Sequence, residues 1–82
     1  MTANRHTVNF YTKEGCHLCE VALEIIDLVA EKIDFQFNSI DITKDEELMM
    51  KFDLEIPVIE IDKEIVFVHK VDKQKLISIL KS

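Results

Sequence analysis

The residues best able to do chemistry are two cysteines, Cys16 and Cys19, set three apart just after Thr7-Val8-Asn9-Phe10-Tyr11-Thr12-Lys13-Glu14-Gly15. That stretch reads as an apolar strand running through a short turn into a long amphipathic helix. A cysteine that opens a helix lies over the unpaired N–H groups of the first turn, where the helix dipole favours an anion. A thiolate therefore forms more readily at Cys16 than at a solvated cysteine, and the thiolate is the form that attacks disulfides. Cys19, about one helical turn further on, can reach back to close a small ring with Cys16. The pair is thus a candidate dithiol that cycles between reduced and oxidised forms. Two other readings stay open on spacing alone. One is a pair of small buried hydrophobes, and the other is half of a zinc site completed from His6, His17, His69 or carboxylates.

The scaffold that must hold the pair can be read outward from it. Residues 7–12 should form a strand. From Cys16 a helix should run to about Lys32, with Leu18, Val21, Ala22, Ile25, Leu28, Val29 and Ile33 turned inward at spacings of three and four, and Glu20, Glu24, Asp27 and Glu31 opposite. Phe35, Phe37, Ile40 and Ile42 give a second strand with an interruption expected near Ser39. Two strands joined by so long a helix should be parallel, as a right-handed βαβ unit. Thr43 and Glu46 form a capping box ahead of a short helix that buries Leu48, Met49 and Phe52. Pro57–Ile61 and Ile65–Val68 read as an antiparallel hairpin, and without a glycine at its turn a loop of three or four residues is expected. Asp72 should cap a last helix that faces Leu76, Ile77 and Leu80 inward.

Composition bounds the function classes. At 82 residues the chain suits one domain, 1–82, and its 48% hydrophobic content supplies a core. A net charge of −6 argues against a nucleic-acid surface, although the acids crowd between Glu14 and Asp62 while the flanking stretches are basic. Such acids usually form a solvated face; a basic partner is the sharper alternative. Met1–His6 is polar, without the apolar run of a signal peptide, and no stretch approaches a membrane span. The expected compartment is the cytoplasm, where a lone Cys-x-x-Cys pair is more often catalytic or metal-binding than structural.

The order β-α-β-α-β-β-α, with Cys-x-x-Cys after the first strand and Ile56-Pro57-Val58 opening the third, resembles the glutaredoxin family of the thioredoxin fold. The resemblance spans nearly the whole chain and is greatest for compact glutaredoxin-like proteins whose active site reads Cys-His-Leu-Cys, as Cys16-His17-Leu18-Cys19 does. It implies a four-stranded mixed sheet flanked by three helices. It also implies a thiol–disulfide oxidoreductase in which Cys16 is the nucleophile and Cys19 the resolving thiol. By the same resemblance Lys13 is the basic residue that approaches the thiolate and a glutathione carboxylate, with a plain solvated lysine as the alternative. Pro57 is the cis proline beside the dithiol, leaving the backbone of Ile56 free to pair with an extended substrate; the plain reading is a strand starter. Asp72 matches the family's acidic residue. His17 either lowers the thiol pKa as an imidazolium beside Cys16 or is an exposed residue at the helix start.

Two departures from the glutathione-using members stand out. Their Thr-Val-Pro is Glu55-Ile56-Pro57 here, and their Gly-Gly pair before the last helix is His69-Lys70. The expected profile is a monomer with no bound cofactor or metal and no nucleic-acid or membrane partner. Its substrate would be a disulfide-containing protein or small thiol, and a reductase or glutathione, the candidate co-substrate, would reset it. The alternatives from other classes are an iron–sulfur cluster shared by Cys16 of two chains and a thioredoxin-fold binding module without redox activity.

Overall fold

The structure, a computed structural model, describes residues 5–82; most of the polar stretch Met1–His6 lies outside the described residues. Its elements are β1 (Thr7–Thr12), α1 (His17–Ala30), β2 (Gln36–Asp41), a 3₁₀ turn (Ile42–Lys44), α2 (Glu46–Phe52), β3 (Val58–Ile61), β4 (Glu64–Val68) and α3 (Lys73–Lys81). The sheet order is β2-β1-β3-β4. β1 and β2 are parallel, as the long crossover helix demands, and β3 runs antiparallel to both β1 and β4. No helix among the described residues is long and apolar enough to cross a membrane.

Strand alternation divides the residues of the sheet between two faces. On one, Val8, Phe10, Ile59 and Ile61 are buried, and the Phe10 and Phe37 rings lie 6.0 Å apart between centroids. α1 covers this face and touches α3, whose Leu76 and Leu80 are buried as expected while Ile77 is only partly so. The other face carries a polar row. Asn38 donates to Asn9 (2.9 Å), Asn9 donates to Glu60 (2.8 Å), and the Tyr11 hydroxyl donates to the same carboxylate (3.2 Å). Burial, then the nearby Glu60 charge, pushes the Tyr11 phenol pKa up. α2 packs on this side, with Phe52 against Tyr11 at 4.8 Å between ring centroids.

Four local expectations need correction. In α1 the buried stripe is Cys19, Ala22, Ile26 and Val29, whereas Leu18, Val21 and Leu28 are exposed. Apolar residues cover more than one stripe of this helix, and periodicity alone does not choose between them. β2 pairs with β1 without a break from Gln36 to Asp41, so nothing interrupts it at Ser39. Phe37 and Ile40 lie an odd number of residues apart on a regular strand and so point to opposite faces. The irregularity falls instead between Ile59 and Glu60, where β4 has an extra residue.

The Thr43–Glu46 capping box does not form. Asp41 takes the Thr43 amide and hydroxyl (2.9 and 2.7 Å) to close the 3₁₀ turn, and Asp45 caps α2 by accepting from the Glu47 and Leu48 amides (2.9 and 3.3 Å). Thr43 is thereby spent one turn too early, and Glu46 becomes the first residue of the helix. Finally, the β3–β4 connection is a tight two-residue turn, Asp62-Lys63, with φ of 51° and 74°. Such primed turns need positive φ at both central residues and usually recruit glycine. Here the Asp62 carboxylate accepts from the Thr7 amide (3.0 Å) and pairs with His6, while the Asp62 amide donates to the Thr7 carbonyl (3.0 Å), so contacts to β1 hold the turn.

That clasp is pH-sensitive. The hydrogen bond to Asp62, then one to the Ser82 carbonyl, raises the His6 pKa above its ordinary 6.5. The Thr7 amide, then His6, lowers that of Asp62 below 3.8. Stability from a raised histidine is complete below pH 6.5 and lost as pH climbs through the folded value; that from a lowered aspartate is complete above pH 3.8 and lost as pH falls through its folded value. The clasp is therefore fully formed between roughly pH 4 and 6.5. His6→Ala should lower the melting temperature more at pH 5.5 than at pH 9, and an equal loss at both would show that the charge on His6 contributes nothing.

Candidate functional site

The β1–α1 loop is built for a sharp entry into the helix. Gly15, the only glycine of the chain, takes φ +78°, a conformation L side chains rarely adopt, and Cys16 then stands in extended backbone as the N-cap of α1. Its Sγ accepts a hydrogen bond from the Cys19 amide (3.1 Å), one of the unpaired donors of the first turn. Cys16 and Cys19 are joined as a disulfide with Cα atoms 5.2 Å apart. Cys16 is partly exposed, while Cys19 on the inner side of α1 is 2% exposed. The two sulfurs, chemically alike, thus occupy unlike environments.

A cleft of about 670 Å³ opens beside them, between α1, the β1–α1 loop and the end of β2. Cys16, Cys19, Phe10 and Leu23 line it together with Thr12, Lys13, Glu14, Glu20, Ser39 and Asp41. Of the sequence-expected residues it gathers Cys16, Cys19 and Lys13. Lys13 is not a free cation, because its Nζ lies 2.9 Å from Asp53 Oδ1. His17 lies outside the lining; its ring is 83% exposed, with Nδ1 3.9 Å from the Glu20 carboxylate. Asp72 is the N-cap of α3, its carboxylate accepting from the Lys75 amide (3.2 Å).

The Ile56–Pro57 peptide bond is cis, as the resemblance implied. The antiparallel register that pairs Tyr11 with Val58 carries Pro57 to the level of Thr12, the end of β1 that leads to the cysteines. On the other flank the parallel register sets Asp41 opposite Thr12. His69, one of the two residues that stand in place of the Gly-Gly pair, adopts φ 75°. Its amide donates to the Pro57 carbonyl (2.8 Å) and its Nε2 lies 3.0 Å from the Leu54 carbonyl, so it ties the end of β4 to the cis-proline loop.

Sequence reasoning missed Asp53, Glu14, Glu20 and Asp41 as members of the site. Asp41 was reachable, since aligning two parallel strands puts it beside Thr12; Asp53, forty residues from Lys13, left no local signal. Among the described residues no three His, Cys, Asp or Glu side chains gather as a metal-binding set.

A four-stranded mixed sheet with helices on both faces, and a Cys-x-x-Cys at the start of the first helix, define a thioredoxin-like fold. Solved structures agree. The chain superposes on protein Ne2328 of Nitrosomonas europaea with a TM-score of 0.82 at 22% identity, covering 98% of this chain and 96% of that one. On thioredoxin-2 of the malaria parasite the TM-score is 0.74 at 22% identity, over 99% and 85% of the two chains. A protein from X. campestris, XcR50, gives 0.73 at 26% identity over 90% and 95%. Within that fold, residues 7–81 match the glutaredoxin-like domain (DUF836), and the chain belongs to this family. A glutaredoxin-like protein of Dictyostelium discoideum is 40% identical over 76 residues, 84% of this chain and 69% of that protein. A glutaredoxin-like fold with its cysteine pair at disulfide distance supports a redox-type function.

Proposed function

We propose that the protein is a thiol–disulfide oxidoreductase in which Cys16 is the nucleophile and Cys19 the resolving thiol. The observation that carries the reading is the asymmetry of the pair: a partly exposed Cys16 whose Sγ is the acceptor at a helix N-terminus, and a Cys19 that is closed off from solvent. In the reduced protein the same amide and dipole would hold a negative charge on Cys16.

The exchange balances in two steps. The Cys16 thiolate attacks one sulfur of a substrate disulfide; a mixed disulfide forms and the other substrate sulfur leaves as a thiolate that takes up a proton. Cys19 then attacks Cys16 Sγ, its proton passing to the second substrate sulfur, which leaves as a thiol. Two electrons pass from the protein dithiol to the substrate disulfide, and an external thiol reductant restores the dithiol. A reducing compartment such as the cytoplasm suits that cycle.

Glutathione is a weak reductant in this reading. Glu55 puts a negative charge beside the cis-proline loop, and His69, tied to the Leu54 carbonyl, fills the turn where the glutathione-using relatives keep glycine. The reduced protein should therefore consume a peptide disulfide and turn over with dithiothreitol, but turn over poorly with glutathione. Changing His69 and Lys70 to glycine should raise the glutathione rate, and φ 75° at His69 is a conformation glycine adopts freely. Failure to oxidise the Cys16–Cys19 pair with any disulfide would refute the oxidoreductase; brisk turnover with glutathione would refute only its exclusion.

A further inference from the structure

We infer that the substrates are disulfides carried on basic polypeptide segments, whose cationic side chains enter the cleft beside Cys16 and meet Glu14, Glu20 and Asp41. This rests on the redox reading above and specifies its substrate class.

The argument begins from what shares the cleft with the sulfurs. A disulfide within reach of Cys16 brings its flanking residues into a space of about 670 Å³ whose ionisable lining, apart from the cysteines, is Lys13 and three carboxylates. Lys13 is already paired with Asp53 at 2.9 Å, so no free Lys or Arg of the cleft lining offsets the three carboxylates. Asp41 stays ionised across the working range, because the hydrogen bond from the Thr43 hydroxyl, then the Thr43 amide, holds its pKa below the ordinary value. Three groups oppose this field: the helix N-terminus at Cys16, a partial charge of about +0.5, the exposed His17 ring 3.9 Å from Glu20, when it is protonated, and Lys44 outside the lining, whose charge helps hold Asp41 ionised. Even together they fall short of three full negative charges. The same field disfavours an anionic tripeptide, consistent with the weak use of glutathione proposed above.

Charge of one sign lining a cleft raises the encounter rate of opposite charge by about 10–10³, with steep dependence on ionic strength. The test uses three peptide disulfides alike except for residues flanking the cysteine: arginine, glutamine or glutamate. Each is mixed in excess with the reduced protein, oxidation of Cys16–Cys19 is followed by acid quench and mass spectrometry, and each rate is divided by that of dithiothreitol with the same peptide. The ratio removes the intrinsic effect of flanking charge on the disulfide. At low salt the arginine peptide should then exceed the glutamine peptide by about tenfold or more, with the glutamate peptide slowest. The three should converge near 1 M salt, where the screening length falls to about 3 Å.

Glu14→Gln with Glu20→Gln, both at exposed positions, should narrow the preference. Glu31→Gln with Glu64→Gln, an equal change in net charge outside the cleft lining, should keep it. Equal normalised rates for the three peptides, a preference for glutamate, or the same narrowing in both double variants would overturn the inference while leaving the oxidoreductase standing. If no peptide oxidises the pair, the redox reading fails and the inference falls with it.

Discussion

Cys16→Ser should reduce thiol–disulfide exchange to the uncatalysed background, whereas Cys19→Ser should keep the first chemical step and stop the second. The difference follows from the two environments. Serine at position 16 leaves the helix N-terminus and the cleft in place but supplies no thiolate to attack, and loss of the nucleophile removes the reaction pathway itself. Serine at position 19 leaves Cys16 over the first-turn amides, so a substrate sulfur can still be captured. No internal thiol then displaces it, and the mixed disulfide should persist as a mass increase equal to one substrate half. Exchange surviving in Cys16→Ser, or adducts that collect on Cys19 in the parent protein, would reverse the assigned roles.

The second large effect is on stability, and it separates two residues of one helix. Ile26 is 1% exposed and Leu28 is 49% exposed, although both are aliphatic and two positions apart on α1. Removing the buried Ile26 side chain loses transfer free energy and leaves a cavity beneath the helix, so Ile26→Ala should cost about 2–5 kcal/mol. That is a large fraction of the roughly 5–15 kcal/mol by which such domains are stable. Leu28→Ala should cost far less, about 1 kcal/mol, since about half of the residue already faces water. Denaturant midpoints of the two variants decide the matter; equal losses would mean that both stripes of α1 are packed.

The same helix shows where the sequence is informative and where it is not. The strand-to-helix junction was legible because everything that defines it is local: an apolar run, one glycine, a cysteine at the cap and another a turn later. The parallel pairing of β1 with β2 was legible from the length of the crossover, and Asp72 from the apolar positions that follow it. The face of α1 was not, since Leu18, Val21 and Leu28 repeat at spacings close to those of Cys19, Ala22, Ile26 and Val29. Only contact with the sheet distinguishes the two sets.

The tight turn was missed for a related reason. Its left-handed residues are Asp62 and Lys63 rather than glycine, and what holds them is a set of contacts to His6 and Thr7, more than fifty residues away in sequence. The ring closed by Cys16 and Cys19 was legible from their types and spacing, and the cis bond before Pro57 from the resemblance. Lys13 was legible as a basic residue beside the cysteines but not as one already engaged, because Asp53 reaches it only through the fold. The imidazole of His17 turns to Glu20 and solvent, a rotamer choice the sequence does not encode.

The central claim is that a helix N-terminus makes Cys16, and not Cys19, the reactive thiol. Competitive alkylation of the fully reduced protein with iodoacetamide at pH 7, read residue by residue by mass spectrometry, tests it most directly. An unperturbed thiol with a pKa of about 8.5 is roughly 3% ionised at that pH, and one lowered to about 7.5 or below is at least about 25% ionised. Cys19 also lies on the inner side of α1 at 2% exposure. The account predicts that Cys16 is modified about tenfold faster than Cys19 or more; equal rates, or faster modification of Cys19, would contradict it.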